Sequence, residues 1–231
     1  MMMNRTQADA AFLRRRLELP LYQVKDAARL AKVSAQTVLN WENPCQGTRP
    51  VSTRRVGASL SYLQLVELRF VAAMRKAGLK LETIRRARNY MEGKYGDFPF
   101  AKKQLIYDGK QLALSLEKEI GQAGVDKLVI VSQGGQTAWR QIIGDSFNEF
   151  DYGDDLATRW HPDPTRREII VDPNIAFGAP SIRGVGTWVL RRRHDAGESI
   201  PAIAEDFELT NDNVVDALRF EGVLNHRWTL H

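Results

Sequence analysis

Gln36 and Asn40 carry amide side chains one helical turn apart, and Leu39 precedes the second of them. An amide offers a hydrogen-bond donor and an acceptor side by side, which matches the edge of adenine in the major groove of DNA. Residues four apart in a helix share one face. If the surrounding residues form a helix with its other side buried, this face predicts the reading of DNA bases.

The neighbouring residues predict a helix-turn-helix. A first helix can bury one side through apolar residues at helical spacing, namely Val24, Ala27, Ala28 and Ala31. Lys32–Val33 makes a short turn, and the Ser34 hydroxyl can cap a second helix by accepting a backbone N–H. Thr37, Val38 and Trp41 give this second helix an inner face. An ordinary helical hairpin has the same apolar pattern, so the segment alone leaves both structures open.

Charge is distributed unevenly along the 231-residue chain, which carries 33 Lys and Arg against 28 Asp and Glu. Residues 1–103 hold 20 basic and 8 acidic side chains, whereas residues 104–231 hold 13 and 20. The formal net charge of +5 therefore divides into +12 and −7. Because the basic excess coincides with the helix-turn-helix, it predicts contact with phosphates.

A segment with the length of a β-wing, residues 49–57, follows and contains three arginines. Such a wing commonly grips backbone phosphates beside a recognition helix. The predicted DNA contacts combine both parts and are Lys32, Ser34, Gln36, Thr37, Asn40, Trp41, Arg49, Arg54 and Arg55. We expect the two amides to read bases and the basic residues to bind phosphates. We also expect a homodimer, since helix-turn-helix regulators usually read paired half-sites in double-stranded DNA.

Two further helices are predicted after the wing. Ser61 and Gln64 have the spacing of a capping box that begins a helix ending near Gly78, and residues 79–91 form the next helix. This order of parts resembles the MerR-like winged helix-turn-helix family over about residues 22–92. The residues that carry the resemblance are Tyr22, Ala27–Ala28, Val33–Ser34, Thr37, Trp41–Glu42, Leu65–Val71 and Gly78–Ile84. The resemblance implies a DNA-binding transcription regulator.

Metal binding and catalysis are not predicted. The chain has one cysteine, Cys45, and four scattered histidines, whereas a metal site needs a cluster of ligands. Asp151, Asp154 and Asp155 lie in a glycine-containing acidic loop that is typical of a solvated turn. No apolar stretch has the length of a membrane span, and no signal peptide is visible. We expect a cytoplasmic protein that is no enzyme and needs neither metal nor cofactor.

The fold class expected for the whole chain is mainly α, with a small β-rich middle module. Residues 1–93 form the winged helix-turn-helix domain, and residues 94–103 have the composition of a linker. Residues 104–167 are expected to form a β-rich connector or assembly module, with a hairpin at 104–116 and a strand at 128–131. A further strand pair is predicted at 156–160 and 168–171.

Residues 168–231 predict a trihelical domain that is itself helix-turn-helix-like. Its helices are expected at 185–195, 199–207 and 210–220, with Ser199 and Thr210 as caps. The expected core residues are Ile200, Ile203, Ala204, Phe207, Leu209, Val214, Val215, Leu218 and Phe220. The acidic balance of this part argues against tight phosphate binding, apart from the basic run Arg191–Arg193.

Three sequence blocks in this domain resemble a bacterial domain family of unknown function over about residues 168–221. The blocks are Val171–Pro173, Pro180–Gly184 and Ala196–Ser199. That family often occurs in antitoxins encoded beside small PIN-like toxins. Together with the MerR-like front, the chain looks like a VapB-type antitoxin, which implies that it neutralises a PIN-like toxin and represses its own operon. The glycines and prolines of these blocks are equally consistent with structural turns.

The tail beyond the last predicted helix is the expected toxin-binding segment. Its candidate contact residues are Phe220, Leu224, Trp228 and Leu230, with the large aromatic Trp228 as anchor. The same tail can instead fold back on its own core. The alternative function is a stand-alone MerR-like regulator that responds to a small molecule bound in its C-terminal half.

Overall fold

The structure is a computed structural model, and it describes residues 5–43, 57–103 and 144–224. The chain divides into two compact units, residues 1–158 and 159–231. Helices dominate, and the described strands form small sheets of two or three strands. The predicted mainly α fold with a helix-turn-helix is therefore confirmed. The predicted hairpin at 104–116 and strand at 128–131 lie outside the described residues.

The first unit is built around a helix-turn-helix bracketed by two short strands. Its elements are α1 (Arg5–Leu17), β1 (Pro20–Tyr22), α2 (Val24–Leu30), α3 (Ala35–Glu42), β2 (Leu60–Ser61), α4 (Tyr62–Lys76), α5 (Leu81–Tyr95), β3 (Phe150–Gly153) and β4 (Leu156–Trp160), the last of which runs across the unit boundary. β1 pairs antiparallel with β2. The strand pair thus joins the residue that precedes the helix-turn-helix to the start of α4.

Helix α4 is the central helix of this unit. The predicted capping box is present, because the Ser61 N–H donates to Gln64 Oε1 at 2.8 Å and the Gln64 N–H donates to Ser61 Oγ at 3.2 Å. Apolar residues all round α4 are buried, among them Leu63, Leu65, Val66 and Val71. A helix that is buried on nearly every side must be surrounded by other elements, so the rest of the first unit packs around α4.

Helix α5 begins and ends later than predicted. Leu79 and Lys80 precede it, because the Leu79 N–H donates back to the Met74 carbonyl at 3.1 Å in the turn that closes α4. Gly78 takes φ +95° in this turn, a conformation that glycine adopts without strain. The helix then continues to Tyr95, beyond the predicted end at residue 91.

The predicted linker at 94–103 is wrong. Pro99–Ala101 forms a 3₁₀ turn in which Phe100 and Ala101 are fully buried. The Phe100 ring lies 6.3 Å from the ring of Phe70 on α4. Composition rich in turn residues indicates an irregular backbone, but here the irregular segment is fixed by the burial of its aromatic side chain.

Residues 144–158 belong to the first unit, so the predicted boundaries of the middle module, 104 and 167, do not hold. The Phe147 and Phe150 rings lie 4.8 and 5.5 Å from the Phe70 ring. Arg69 of α4 binds Glu149 through both guanidinium branches, with Nε at 2.9 Å from Oε2. These contacts attach the start of β3 directly to α4, and the second unit begins at residue 159 rather than at 168.

The acidic loop around residue 154 is the turn of a hairpin. Strand β3 pairs with β4, and the residues between them, Asp154 and Asp155, have φ of +46° and +70°. Two successive left-handed residues match the twist of a tight hairpin, and Asp tolerates this conformation better than most side chains. The predicted pairing of strands 156–160 and 168–171 is reduced to one bridge, Trp160 to Val171.

The second unit joins three helices to a three-stranded sheet. Its elements are β5 (Ile169–Ile170), β6 (Ser181–Ile182), β7 (Val185–Gly186), α6 (Thr187–Asp195), α7 (Ile200–Asp206) and α8 (Asn211–Phe220). The predicted helix at 185–195 therefore begins two residues late, because Val185 and Gly186 pair with β6 instead. Arg183 and Gly184, with φ of +47° and +87°, form the tight turn that makes this pairing possible.

The core of the second unit contains most of the predicted residues and four that were not predicted. The buried cluster is Ile169, Ile182, Leu190, Ile203, Ala204, Val214, Ala217 and Leu218. Ile200, Phe207, Leu209 and Phe220 pack against it with part of their surface exposed. Ile169, Ile182 and Leu190 come from the sheet and from α6, so the trihelical prediction identified the helical side of the core and missed its other side.

Candidate nucleic-acid interface

The turn between α2 and α3 is held by backbone hydrogen bonds and by a cap. The Val33 N–H donates to the Ala28 carbonyl at 3.0 Å, which closes the end of α2. Lys32 occupies the left-handed position of this motif with φ +58°. Ser34 Oγ then accepts the Thr37 N–H at 3.0 Å and begins α3, as predicted. The two helices are thereby fixed at a short, well-defined turn.

The inner faces of both helices are buried, which confirms the predicted helix-turn-helix packing. Ala27 and Ala28 of α2 and Val38 of α3 have relative exposures of 0%, 2% and 0%. Small residues at this contact allow the two helix backbones to approach closely. Trp41 is also buried, with 5% exposure, and this requires a correction. Its side chain supports α3 from inside, so it was wrongly included among the predicted direct DNA contacts.

The outer face of α3 carries the two amides. Gln36, Leu39 and Asn40 are all exposed, and Gln36 Nε2 donates to Asn40 Oδ1 at 3.0 Å. This bond leaves Gln36 Oε1 as an acceptor and the Asn40 amide nitrogen as a donor on the same surface. The two side chains thus present the donor and acceptor needed for an adenine edge, already oriented by their mutual bond.

The other predicted contacts surround this face to different degrees. Lys32 is exposed at the turn, whereas Thr37 is half-buried and its hydroxyl lies 2.8 Å from that of Ser34. Ser34 is exposed, but its oxygen is engaged in the cap. The wing arginines Arg49, Arg54 and Arg55 lie outside the described residues.

A buried ion pair joins helices α4 and α5. Arg88 Nη2 of α5 lies 2.8 Å from Glu67 Oε2 of α4, and the two side chains are 2% and 0% exposed. Glu92 adds a longer contact to Arg88 at 3.4 Å. Complete burial raises the pKa of Glu67 to about 7, although Arg88 opposes the shift. Arg88 is one of the basic residues counted in the excess over residues 1–103, but its charge is paired with Glu67 inside the protein, between α4 and α5.

The second unit contains a helix-turn-helix built in the same way as the first. Helix α7 has seven residues, like α2, and the left-handed position after it is Glu208 with φ +53°. The Leu209 N–H donates to the Ala204 carbonyl at 2.8 Å, and Thr210 Oγ accepts the Asn213 N–H at 3.1 Å. Each of these features occurs in α2–α3 at a constant sequence offset. Most residue types at corresponding positions differ, so the repeat is a likeness of backbone structure that residue identities do not show.

The exposed positions of the two motifs differ in charge. Corresponding exposed residues are Arg29 and Glu205, Lys32 and Glu208, and Gln36 and Asp212. From Glu198 to Glu221 the second motif has seven carboxylates and one guanidinium. Within the part of the chain that the structure describes, Glu205, Glu208 and Asp212 have no side-chain hydrogen bond or ion pair. A surface of this sign repels phosphate and attracts cationic groups.

The basic run on α6 does not offset this acidic surface. Arg193 binds Glu198 and Asp206, and these hydrogen bonds raise its pKa. Arg191 Nε lies 3.4 Å from Asp195 Oδ2. Arg191 and Arg193 thus have carboxylate partners in their own unit, whereas the Arg192 guanidinium lies over the Trp188 ring at 6.0 Å.

The predicted toxin-binding tail is only partly described, and its described part folds back. Phe220 and Leu224 pack against the core of the second unit, so the prediction that they are free to bind a toxin is wrong. Trp228 and Leu230 lie outside the described residues. A different aromatic is exposed instead: Phe177 has 90% relative exposure and φ +54°. Phe177 was not predicted, because no local pattern in the sequence distinguishes an exposed phenylalanine from a buried one.

Candidate sites for other chemistry are few among the described residues. No group of three or more histidine, cysteine, aspartate or glutamate residues in that part of the chain could hold a metal ion. No helix of the described ranges is long and apolar enough to cross a membrane. A cavity of about 330 Å³ lies between α1 and the β3–β4 turn, with Arg14, Lys102, Asp154 and Asp155 in its wall.

Comparison with known proteins finds a family match in each half of the chain. Residues 22–90 match the family model of MerR HTH family regulatory proteins, and residues 169–220 match that of DUF433, a protein family of unknown function. Both resemblances predicted from the sequence are confirmed. The chain is also 26% identical over 229 residues to a Mycobacterium tuberculosis protein named "Putative antitoxin VapB45", across 88% of this chain and 94% of that protein.

A solved structure supports the fold. The X-ray crystal structure of Rv2018 from Mycobacterium tuberculosis matches with a TM-score of 0.68 at 21% identity. The match covers 88% of this chain and 99% of that chain. Most of the chain therefore shares its fold with a known structure.

Proposed function

We propose that this protein is the antitoxin of a type II toxin–antitoxin system, which represses its own operon and neutralises a PIN-like toxin. The observation that carries the DNA-binding part is the outer face of α3, where Gln36 and Asn40 are exposed and oriented by their bond of 3.0 Å. The match to the MerR family model and the basic excess of residues 1–103 support it. The similarity to VapB45 supports the antitoxin part.

In the proposed complex, α3 lies in the major groove of the operator. Gln36 and Asn40 read bases, while Lys32 and the wing residues Arg49, Arg54 and Arg55 bind phosphates. Ser34 and Thr37 hold the first turn of α3 close to the DNA backbone, and Trp41 fixes the helix from inside. The division follows the general rule that phosphate contacts position a protein and base contacts specify the sequence.

Replacing Gln36 or Asn40 by alanine should weaken binding to the operator by about 1–3 kcal/mol and relax sequence preference. Because the two amides bond to each other, the double variant should lose less than the sum of the single losses. The measurement is titration of the full chain with its own promoter fragment and with a shuffled duplex. Asn211→Ala, an exposed amide of the second unit, is the control. Equal losses on both duplexes would exclude base reading.

Replacing Arg54 and Arg55 by alanine should instead weaken binding to every sequence. The slope of log affinity against log salt should flatten by roughly one unit for each lost phosphate contact. Arg191→Ala, which removes a guanidinium from the second unit, should leave the slope unchanged. If the salt slope of the Arg54 and Arg55 variant stays at the wild-type value, these wing residues do not bind DNA phosphates.

The toxin-binding part of the proposal rests on the second unit. Its helix-turn-helix has the shape of a DNA-binding motif but presents carboxylates at the exposed positions. The proposed toxin is an RNA-cleaving protein, which needs a basic surface to bind phosphates. Complementary charge speeds and orients protein association. We place the toxin on the face formed by Glu205, Glu208 and Asp212, with exposed Phe177 as a candidate apolar anchor. Co-purification of the full chain with the product of the adjacent reading frame tests whether such a partner exists.

The second candidate function is a stand-alone regulator that responds to a small molecule, with the ligand in the first unit and not in the C-terminal half as the sequence predicts. The cavity beside α1 favours it, because charged groups of both signs surround a floor that includes Leu13 and Leu17. Such a ligand would have to change the affinity of the protein for its promoter. A metabolite that raises the melting temperature and shifts the promoter titration would favour this function over the antitoxin.

A further inference from the structure

Helix α3 has only eight residues, and its last carbonyl groups have no partners within the helix. In this structure a side chain from another helix donates hydrogen bonds to carbonyl groups at this end. Arg85 of α5 donates from Nη2 to the Trp41 carbonyl at 2.7 Å and to the Asn43 carbonyl at 2.6 Å. Arg85 is 3% exposed, so its guanidinium is not presented to a DNA phosphate on the surface.

The contact suits the end of a helix in both charge and shape. A cation is favoured at a helix C-terminus, where the partial negative charge of the macrodipole lies. The planar guanidinium reaches two carbonyls at once, and its N–H groups point in fixed directions. The Arg85 Nε has no hydrogen-bond partner among the described residues. Burial of this charge is therefore costly, and a well-packed apolar residue would serve stability at lower cost.

The base of Arg85 is itself held rigidly. One turn further along α5, Arg88 forms the buried pair with Glu67 of α4. Helix α4 in turn begins at the capping box beside strand β2. A continuous set of fixed groups therefore runs from the central helix through α5 to the last carbonyls of α3.

From this geometry we infer that Arg85 is a positioning residue for DNA recognition: it sets the orientation in which α3 presents Gln36 and Asn40 to the bases. The inference rests on the proposed DNA-binding function. It assigns to α5 a role in sequence discrimination, although Arg85 touches neither the bases nor the phosphates. Small errors in the position of a recognition group are enough to lose its bidentate hydrogen bonds.

The test is the ratio of affinities for the promoter fragment and for a shuffled duplex, measured on the full chain. Arg85→Met should lower promoter affinity about tenfold, while affinity for the shuffled duplex and the salt slope stay at wild-type values. Arg85→Gln, which keeps one donor, should restore part of the ratio. If Arg85→Met does not fold, the Arg85→Gln variant alone decides, since it must then show a reduced ratio.

Two controls separate orientation from loss of stability. Arg69→Met removes another partly buried guanidinium of the first unit, one that binds Glu149 and not α3, and it should leave the ratio unchanged. Arg86→Met, next to Arg85 but exposed, should do the same. A wild-type ratio in the folded Arg85 variants would overturn the inference, as would parallel losses on both duplexes. If the wild-type protein itself fails to discriminate, the proposed function fails instead.

Discussion

Replacing Arg88 by methionine is expected to lower the free energy of unfolding by about 3–5 kcal/mol at pH 8. The change leaves Glu67, which has 0% exposure, as a buried carboxylate without its partner. The measurement is urea unfolding of the full chain, monitored with a spectroscopic probe that reports on the first unit. The double variant Glu67→Gln/Arg88→Met should recover much of the loss, because it removes the charge that the single variant strands.

The decrease in the free energy of unfolding caused by Arg88→Met should be smaller at pH 5 than at pH 8. Burial raises the pKa of folded Glu67 to about 7 from the 4.5 of an unperturbed side chain. Between pH 4.5 and about 7, Glu67 is therefore protonated in the folded state but ionised in the unfolded state. The contribution of Glu67 to the free energy of unfolding is fully present below pH 4.5 and is lost as the pH rises through about 7. Arg86→Met, whose partner Glu82 is exposed, should change stability by less than about 1 kcal/mol. A loss that small in Arg88→Met as well would contradict the buried pair.

The second large effect is expected when the acidic face of α7–α8 receives the residues of its counterpart in α2–α3. The variant E205R/E208K/D212Q should weaken the complex with the adjacent gene product by about 100-fold or more, because like charges then meet across the interface. Phe177→Ser should weaken it separately by about tenfold if this aromatic is an anchor. Affinity of the purified proteins, by calorimetry or by surface plasmon resonance, is the quantity to compare.

A matched control changes the same net charge elsewhere. D9R/E18K/D97N alters the first unit by the same five charge units and should leave the complex intact. The acidic-face variant should still bind the promoter, since it does not touch α2 or α3. Unchanged affinity in the acidic-face variant would show that the toxin docks elsewhere on the protein.

Local signals predicted the starts of α3, α4 and α8 correctly. Ser34, Ser61 and Thr210 are caps whose hydroxyls bond to N–H groups three residues later, so a few letters of sequence contain the whole interaction. Apolar spacing likewise identified the inner faces of α2 and α3. The exposed amides of α3 followed directly, because they occupy the positions that remain outside.

Contacts between residues distant in sequence could not be predicted in this way. Arg85 and Arg88 look like surface charges in the sequence, and only the packing of α5 on α3 and α4 reveals that they are buried. Phe100 was assigned to a linker for the same reason, since its partner Phe70 lies far away along the chain. The turns after α2 and α7 use Lys32 and Glu208, whereas sequence rules seek glycine at such positions.

The most direct test of the division of labour is growth of cells that express the product of the adjacent reading frame together with full-length protein from an independent promoter. We expect the wild type and the Gln36→Ala/Asn40→Ala variant both to restore growth, because neutralisation does not need α3. E205R/E208K/D212Q should not restore growth, although it folds and binds the promoter. Full rescue by the acidic-face variant, or an adjacent product that does not arrest growth, would contradict toxin binding by the acidic face.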